Sequence, residues 1–343
     1  MPLKLIQNYL TNRKQVVKIN DTYSEELTVE IGIPQGTILG PLLFIVFIDD
    51  LLRKDINGSI IAYADDTGLI IYGKNWKDLE KYAGIVLNDI ACWLNVNGLT
   101  LNTDKTNYVI FSNNIIKRPN NFKIIIHKSD NCKDNCDCKP IICVDSTKYL
   151  GVIVDKNMKW HEQIDWTTKR LRYLIYVFAN LKKILNINSL LTIYYALFDS
   201  IATYGIIAWG GAYKTALKSL QAIQNKILKI IFAVKANEII NVYINNRILN
   251  IKQNYYFKSL LKNYDTFKKK FKDLKSIPRN KQLNLPKNKL EVGKKDNEWI
   301  GLNIFNMLPT NLKSFKKINK NIKNRLKINF CELDFVRKEL DNM

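Results

Sequence analysis

Adjacent carboxylates between two short apolar runs are the residues of this chain best suited to chemistry. The runs on either side of Tyr63-Ala64-Asp65-Asp66 predict two strands joined by a tight turn. Such a turn would project both acid side chains from a rigid support, and carboxylate oxygens bind Mg²⁺ beside phosphate groups. Asp-Asp is also ordinary turn chemistry, in which case both side chains would simply face solvent.

A glycine-bracketed loop lies upstream of this pair. Gly32-Ile33-Pro34-Gln35-Gly36 precedes a segment in which Pro41 suits the first turn of a helix that runs to about Leu52. Glycine on both sides lets the backbone approach a bulky polymer. Two divalent ions held by carboxylates can activate a hydroxyl and neutralise a triphosphate. Together, the loop and the acidic turn favour a nucleotide-polymerising site over a solvated turn.

Charge and composition favour a polyanionic partner. The chain has 343 residues, is 47% hydrophobic and carries a formal charge of +22 from 53 Lys and Arg against 31 Asp and Glu. This length allows two or three compact units, and the charge favours nucleic acid or an acidic membrane surface. The apolar stretch from Pro41 to Ile48 is too short to span a bilayer. We therefore expect a soluble intracellular protein of the nucleus or cytoplasm, with no membrane partner.

Hydrophobic periodicity divides the chain into a mixed first half and a helical second half. A helix is predicted to begin at the N-cap Asn75 and end at Asn97-Gly98, and residues 99–111 and 145–155 have strand character. Helical patterns follow over residues 161–185, 189–209 and 213–234. Beyond residue 236 the chain is rich in Lys and Asn, with one last amphipathic pattern at residues 315–326.

Several sequence blocks, taken in order, resemble the reverse transcriptases of non-long-terminal-repeat (LINE-type) retrotransposons. Residues 32–37 are similar to the Pro-Gln-Gly block of that family, and residues 63–66 to its catalytic Tyr-x-Asp-Asp block. Residues 101–106, Leu-Asn-Thr-Asp-Lys-Thr, look like the next palm block. Tyr149-Leu150-Gly151-Val152 looks like the primer-grip hairpin. The resemblance covers nearly the whole chain.

The resemblance implies an α+β fold, a partial right-hand polymerase. Residues 1–158 would form part of a palm, an antiparallel sheet with packed helices that lacks the fingers and the first catalytic strand. Residues 159–235 would form an all-helical thumb, and residues 236–343 a Lys/Asn-rich extension. Its function would be RNA-directed DNA synthesis on an RNA template with a DNA primer, deoxynucleoside triphosphates and two Mg²⁺ ions. The sequence does not indicate an oligomeric state.

The resemblance also implies roles for individual residues. Asp65 would be the principal metal ligand and Asp66 its partner, and Lys105 would lie near the leaving pyrophosphate. Lys105 could equally be a solvated lysine at a strand end. The remaining implied contacts are the template and nucleotide contacts Pro34, Gln35, Gly36, Tyr63 and Ala64, and the primer-grip residues Tyr149, Leu150 and Gly151.

One carboxylate of the family pattern has no match in this sequence. The family carries a further essential aspartate before the Pro-Gln-Gly block, in a Phe-Asp-x-x-x-Ala-Phe-Asp context, and the acidic residues before Gly32 lie in no such context. We therefore expect little polymerase activity from the isolated chain. The alternatives are an inactive nucleic-acid-binding remnant, a truncated pseudogene product, a gene model that begins at an internal Met, or a chain that does not fold because a sheet edge is left open.

Two weaker patterns remain. Cys132, Cys136, Cys138 and Cys143 bring four sulfurs close together, but the spacing departs from the paired CxxC of common zinc sites. We expect a reduced loop there and no zinc. In the helical half, basic residues interrupt the apolar stripes and would either follow a nucleic-acid backbone or form solvated helix faces; they include Lys169, Arg170, Arg172 and Lys182.

Overall fold

A computed structural model describes residues 2–34, 36–112, 119, 121–126, 138, 140–272, 282–286, 296–309, 312–313 and 320–332. The chain divides into two compact units. Unit 1 contains residues 1–108 and 113–143, and unit 2 contains residues 109–112 and 144–343. Within the described ranges, no helix is both long enough and apolar enough to cross a bilayer.

Unit 1 begins with a helix and two nested strand pairs. Helix α1 (Pro2–Leu10) is followed by β1 (Arg13–Gln15), β2 (Lys18–Ile19), β3 (Thr22–Tyr23) and β4 (Leu27–Val29). Strand β1 pairs antiparallel with β4, and β2 pairs antiparallel with β3. Ile19 lies opposite Thr22, so Asn20 and Asp21 form a two-residue turn, with Asn20 at φ +54°.

The centre of unit 1 is a hairpin packed on helices. Helix α2 (Leu39–Leu52), strands β5 (Gly58–Tyr63) and β6 (Asp66–Ile71) and helix α3 (Trp76–Val96) follow in order. Pro41 lies in the first turn of α2 as predicted. The Asn75 side chain accepts a hydrogen bond from Asp78 N at 2.9 Å, which confirms Asn75 as the N-cap of α3. The small apolar core here contains Leu51, Val86 and Ile90.

Residues 99–111 form less strand than the sequence predicts. Only β7 (Asn107–Tyr108) is a strand, and it pairs in parallel with β8 (Ile142–Cys143). Asn102 accepts hydrogen bonds from Lys105 N through both its backbone and its side-chain oxygen, at 3.2 Å each. The prediction of one continuous strand is therefore wrong, because this amide side chain stabilises a turn at residues 103–105.

Unit 2 begins with a hairpin and continues as helices. Strand β9 (Ser146–Tyr149) pairs antiparallel with β10 (Val152–Asp155), which confirms strand structure over most of 145–155. The helices after this hairpin are α4 (His161–Arg172), α5 (Leu174–Leu181), α6 (Ile187–Ile193), a π-helix (Tyr194–Asp199), α7 (Ser200–Ala202), α8 (Ile206–Trp209) and α9 (Lys214–Phe232).

The C-terminal part of unit 2 shares one core with these helices. It contains a 3₁₀ turn (Ala236–Glu238), α10 (Ile239–Asn245), α11 (Ile251–Lys272), α12 (Asn297–Met307) and α13 (Lys320–Glu332). The buried cluster of unit 2 runs from Ile164 to Phe330 and includes aromatic residues of α11 and α12. Burying this much apolar surface stabilises the whole assembly of helices.

A buried polar network crosses this core. Gln224 is fully buried, and its side-chain nitrogen donates to Tyr194 Oη and to Leu249 O, both at 2.9 Å. Burial raises the pKa of the Tyr194 hydroxyl well above its usual value of 10.0.

The architecture of the chain is mixed, with many helices and small, mainly antiparallel sheets. Its division into palm, thumb and extension stays a prediction.

Candidate active site

The acidic turn of unit 1 is a two-residue turn between β5 and β6. Tyr63 lies opposite Asp66, so Ala64 and Asp65 alone form the turn. Ala64 adopts φ +52°, a left-handed conformation that residues with a Cβ seldom occupy. The sequence indicates a turn at this place but not this conformation, because alanine carries no turn signal.

Both carboxylates of the turn face solvent. Asp65 and Asp66 are exposed, and neither side chain makes an ion pair or hydrogen bond within the described ranges. Their oxygens can supply one or two ligands to a divalent ion whose other ligands are water or phosphate. No group of three or more His, Cys, Asp or Glu side chains comes together among the residues the structure describes. The pair therefore fits part of a metal coordination sphere.

One face of the hairpin supplies its support. Ile60, Leu69 and Ile71 pack against the small core of unit 1. Gly58 allows the strands to pair closely, since a Cβ built there would lie 1.9 Å from Ile70 O. The opposite face leaves Ile61 and Tyr63 exposed. Among the described residues of unit 1, the packing contacts of the hairpin thus come from one of its faces.

The Pro-Gln loop is attached to the N-terminal segment. Gln35 lies outside the described residues, whereas Pro34 is half-buried and Gly36 adopts φ +76°. The Thr37 hydroxyl donates to Pro34 O at 2.9 Å and lies 2.5 Å from Tyr9 Oη. Sequence reasoning missed Tyr9 and Thr37, because a helical tyrosine and a loop threonine give no signal that they meet.

Hydrogen bonds from Arg13 provide a second attachment of the same loop to the N-terminal segment. The Arg13 guanidinium donates to Gly32 O at 2.7 Å and to Leu10 O at 3.1 Å. Gly32 adopts φ +86°, which suits glycine alone among common residues. The loop is therefore oriented by α1 and by the residue that begins β1.

Lys105 lies at the end of the turn that precedes β7. Its backbone N–H bonds to Asn102, and its side chain is exposed. The structure gives this ammonium group no ion-pair partner within the described ranges. Its assignment to the leaving pyrophosphate stays a prediction, as does the alternative of a solvated lysine.

The Tyr149-Leu150-Gly151-Val152 block forms a second tight turn, in unit 2. Tyr149 lies opposite Val152, with Leu150 at φ +46° and Gly151 at φ +81°. Positive φ at both central positions is the geometry of a type I′ turn, which joins two-residue hairpins. The Tyr149 hydroxyl is buried without a hydrogen-bond partner in the described part of the chain.

A basic and aromatic surface lies beside this hairpin in unit 2. Lys148 Nζ is 4.7 Å and the Arg170 guanidinium carbon 5.4 Å from the ring centroid of the half-buried Trp166. Lys148 and Arg170 are exposed, so both can reach an anion while resting on the ring. The Lys182 ammonium group instead donates to Ile231 O at 2.7 Å and therefore has a structural role.

Charged groups also lie at the break between α7 and α8. Lys258 Nζ donates to Thr203 Oγ1 at 2.7 Å and to Thr203 O at 3.2 Å. Desolvation raises the pKa of the Asp199 carboxyl above its ordinary 3.8, although Lys258 and Lys327 oppose this shift. Burial lowers the pKa of the Lys258 ammonium.

Only part of the cysteine cluster can be placed. Cys132 and Cys136 lie outside the described residues, while Cys138 and Cys143 are half-buried. The expectation of a reduced loop without zinc stays a prediction.

Comparison with known proteins identifies the class that the acidic turn and the Pro-Gln loop define. Residues 1–154 match the sequence profile of reverse transcriptase (RNA-dependent DNA polymerase). Over these residues the chain is similar to the reverse transcriptase family. Members of this family use divalent metals, which the exposed Asp65-Asp66 pair is suited to bind.

Similar curated proteins come from retrotransposons of Drosophila melanogaster. The chain is 27% identical over 238 residues to "Probable RNA-directed DNA polymerase from transposon X-element". This alignment covers 66% of the chain and 24% of that protein. The chain is 26% identical over 241 residues to "Probable RNA-directed DNA polymerase from transposon BS", an alignment that covers 66% of this chain and 25% of that protein. It is 24% identical over 243 residues to "RNA-directed DNA polymerase from mobile element jockey", with 66% and 24% covered. The chain therefore spans about a quarter of these relatives, and no solved structure matches it significantly.

Proposed function

We propose that this chain carries the second metal-ligand hairpin and the primer-contacting turn of an RNA-directed DNA polymerase. The observation that supports this most strongly is the pair of unengaged carboxylates at the β5–β6 turn, within the segment that matches the family. Asp65 and Asp66 would hold Mg²⁺ there. Bound Mg²⁺ would neutralise charge on the triphosphate and activate the primer hydroxyl.

Other residues would hold the nucleic acid and nucleotide near this turn. The Pro34-Gln35-Gly36 loop, with Tyr63 and Ala64, would contact the template and the incoming deoxynucleoside triphosphate. Lys105 would offset negative charge that develops on the leaving pyrophosphate. The Tyr149-Leu150-Gly151 turn would steady the primer terminus.

Metal binding tests the role of the acidic turn. We expect Mn²⁺, used as the probe for Mg²⁺, to bind wild-type protein weakly and to lose most of this binding in Asp65→Asn and Asp66→Asn. The matched control is Asp21→Asn, because Asp21 also lies in a two-residue hairpin turn but has no adjacent carboxylate. Water-proton relaxation enhancement measures the binding. Equal Mn²⁺ binding by all four proteins would contradict the proposed site.

A second candidate function is nucleic-acid binding without synthesis. The surface formed by Lys148, Trp166 and Arg170 supports it, since two cations and an aromatic ring suit phosphate and base contacts. The described residues also bring no third metal-binding side chain to Asp65 and Asp66. We therefore propose that the isolated chain binds primer–template but extends the primer little.

Two assays on the same protein distinguish these functions. Primer extension with Mg²⁺ on an RNA template should yield little product, whereas affinity for the same duplex should fall steeply as salt rises. Lys148→Gln combined with Arg170→Gln should reduce the slope of log affinity against log salt by about 1 to 2. Robust extension that Asp65→Ala abolishes would overturn the proposal of an inactive chain and establish the polymerase.

A further inference from the structure

A side chain that lies outside strands β9 and β10 contacts the turn at residues 149–152. Tyr204 Oη donates to Leu150 O at 2.8 Å. The same ring covers Gly151, since a Cβ built on that residue would lie 3.1 Å from Tyr204 Cε1. One side chain therefore bonds to the central peptide of the turn and also packs against it.

The segment that carries Tyr204 is itself fixed to the core of unit 2. Trp209 is fully buried, and its indole N–H donates to Tyr204 O at 2.8 Å. Lys258 of α11 bonds to both oxygens of the preceding Thr203, which is also buried. Gly205, at φ +60°, approaches the hairpin so closely that a Cβ there would lie 2.7 Å from Val152 Cγ2. The break between α7 and α8 thus links the helical core to the turn.

The bond from Tyr204 selects one orientation of the peptide between Leu150 and Gly151. The peptide unit is planar, so fixing the carbonyl also fixes the opposite direction of the Gly151 N–H. Leu150 occupies the left-handed region, which is costly for a residue with a branched side chain, and an external hydrogen bond helps to hold it there. The strands alone do not select this peptide orientation.

We propose that Tyr204 is the positioning residue for the turn that contacts the primer terminus. This rests on the proposed function, in which Tyr149, Leu150 and Gly151 steady that terminus. Tyr204 acts through the Leu150 carbonyl and the face of Gly151, and Lys258 and Trp209 hold Tyr204 in place. The helical core thereby determines how the turn is presented to nucleic acid.

Tyr204→Phe is the decisive variant because it removes the hydroxyl and keeps the ring. The matched control is Tyr176→Phe, since Tyr176 is exposed and its hydroxyl has no partner within the described ranges. Amide hydrogen exchange of the peptide containing residues 149–153 reports the hold on the turn. The contact with the primer terminus is measured as a ratio of two affinities. The affinity for a duplex with a recessed primer end is divided by the affinity for a continuous duplex of equal length.

We expect Tyr204→Phe to melt like wild type, to exchange faster at residues 149–153 and to lose about 2- to 10-fold of its preference for the recessed end. Tyr176→Phe should change neither quantity. A merely structural hydroxyl would leave the binding ratio unchanged. If wild type prefers the recessed end and Tyr204→Phe keeps that preference, the proposal for Tyr204 is overturned alone. If wild type shows no such preference, the primer-contacting role of the turn and the proposal for Tyr204 are both overturned.

Discussion

The two compact units differ in how firmly they hold their tight turns. In unit 1 the acidic turn rests on a small cluster around Leu51, Val86 and Ile90, and one face of its hairpin is exposed. In unit 2 the Leu150-Gly151 turn is bonded by Tyr204, which is fixed to a core that runs from Ile164 to Phe330. Both turns contain a non-glycine residue in the left-handed region. The comparison indicates that similar backbone geometry can depend on very different support.

This difference has a thermodynamic meaning. Local regions of a protein open with free energies that follow their buried contacts and hydrogen bonds. Unit 1 should therefore open at lower free energy than unit 2. The acidic turn would gain rigidity mainly from what binds to it, whereas the turn at Leu150 is already organised.

The largest effect should come from matched core truncations. Leu228 in unit 2 is 0% exposed and Leu51 in unit 1 is 3% exposed. We expect Leu228→Ala to cost about 4 to 5 kcal/mol and Leu51→Ala about 2 to 3 kcal/mol, because the sparser core relaxes around the cavity. Urea unfolding followed by hydrogen exchange in each unit measures both. Equal costs would show that the core of unit 1 is as tightly packed as that of unit 2.

A pair of glycine substitutions tests the support of the acidic turn. Gly58→Ala should destabilise unit 1 by about 1 to 3 kcal/mol, because its Cβ would overlap Ile70 O. Gly84→Ala, in α3, has open space around the new methyl group and should stabilise the unit by up to about 1 kcal/mol. Thermal melts of the two variants provide the check. A neutral Gly58→Ala would mean that the β5–β6 pairing readily shifts.

The polar network tests whether the core of unit 2 depends on hydrogen bonding as well as burial. Gln224→Met keeps most of the side-chain volume but removes the donors to Tyr194 Oη and Leu249 O. We expect a loss of about 1 to 3 kcal/mol, because the buried Tyr194 hydroxyl loses its donor, whereas Leu249 O keeps a hydrogen bond from Asn254 Nδ2 at 3.0 Å. Chemical denaturation measures the loss, and an unchanged midpoint would show that Tyr194 finds another partner.

The smallest effect is a dependence on pH. The Asp199 carboxyl has a raised pKa in the folded state, so the fold favours its protonated form. Its contribution to stability is then highest below pH 3.8 and declines as pH rises through the folded pKa. Asp199→Asn should therefore gain stability relative to wild type as pH rises across this window. A stability difference that does not vary with pH would contradict the raised pKa.

The sequence allowed strong elements to be predicted but not their tertiary contacts. Asn75 marked the start of α3 because a side-chain cap is a local signal. The strand predicted for residues 99–111 was mostly wrong, because Asn102 bonds to the backbone and competes with strand pairing. The buried aromatic residues of α11, such as Tyr264 and Phe267, were hidden by the abundant lysines around them.

In the candidate site, residue types and spacing indicate the acidic pair Asp65-Asp66, whereas only the resemblance to reverse transcriptases points to the Leu150-Gly151 turn. The roles of these residues stay predictions. The contacts from Tyr9, Arg13 and Tyr204 could not be predicted, since each joins residues distant in the chain through one hydrogen bond. Long-range bonds of this kind depend on packing and leave no local pattern.

The π-helix at Tyr194–Asp199 accommodates one extra residue between α6 and α7. An α-helix turns by about 100° per residue, and a π-helical turn accommodates one residue more than an α-helical turn. Deleting one residue from the π-helix would therefore leave an ordinary α-helical turn with nearly the same net rotation, and Tyr204 would keep its direction. Deleting one residue from α6 instead would rotate everything up to the break at Thr203 by about 100°, and Tyr204 would then face away from Leu150. A one-residue gap in α6 would thus matter more than most substitutions, whereas the π-helix is where this segment tolerates one.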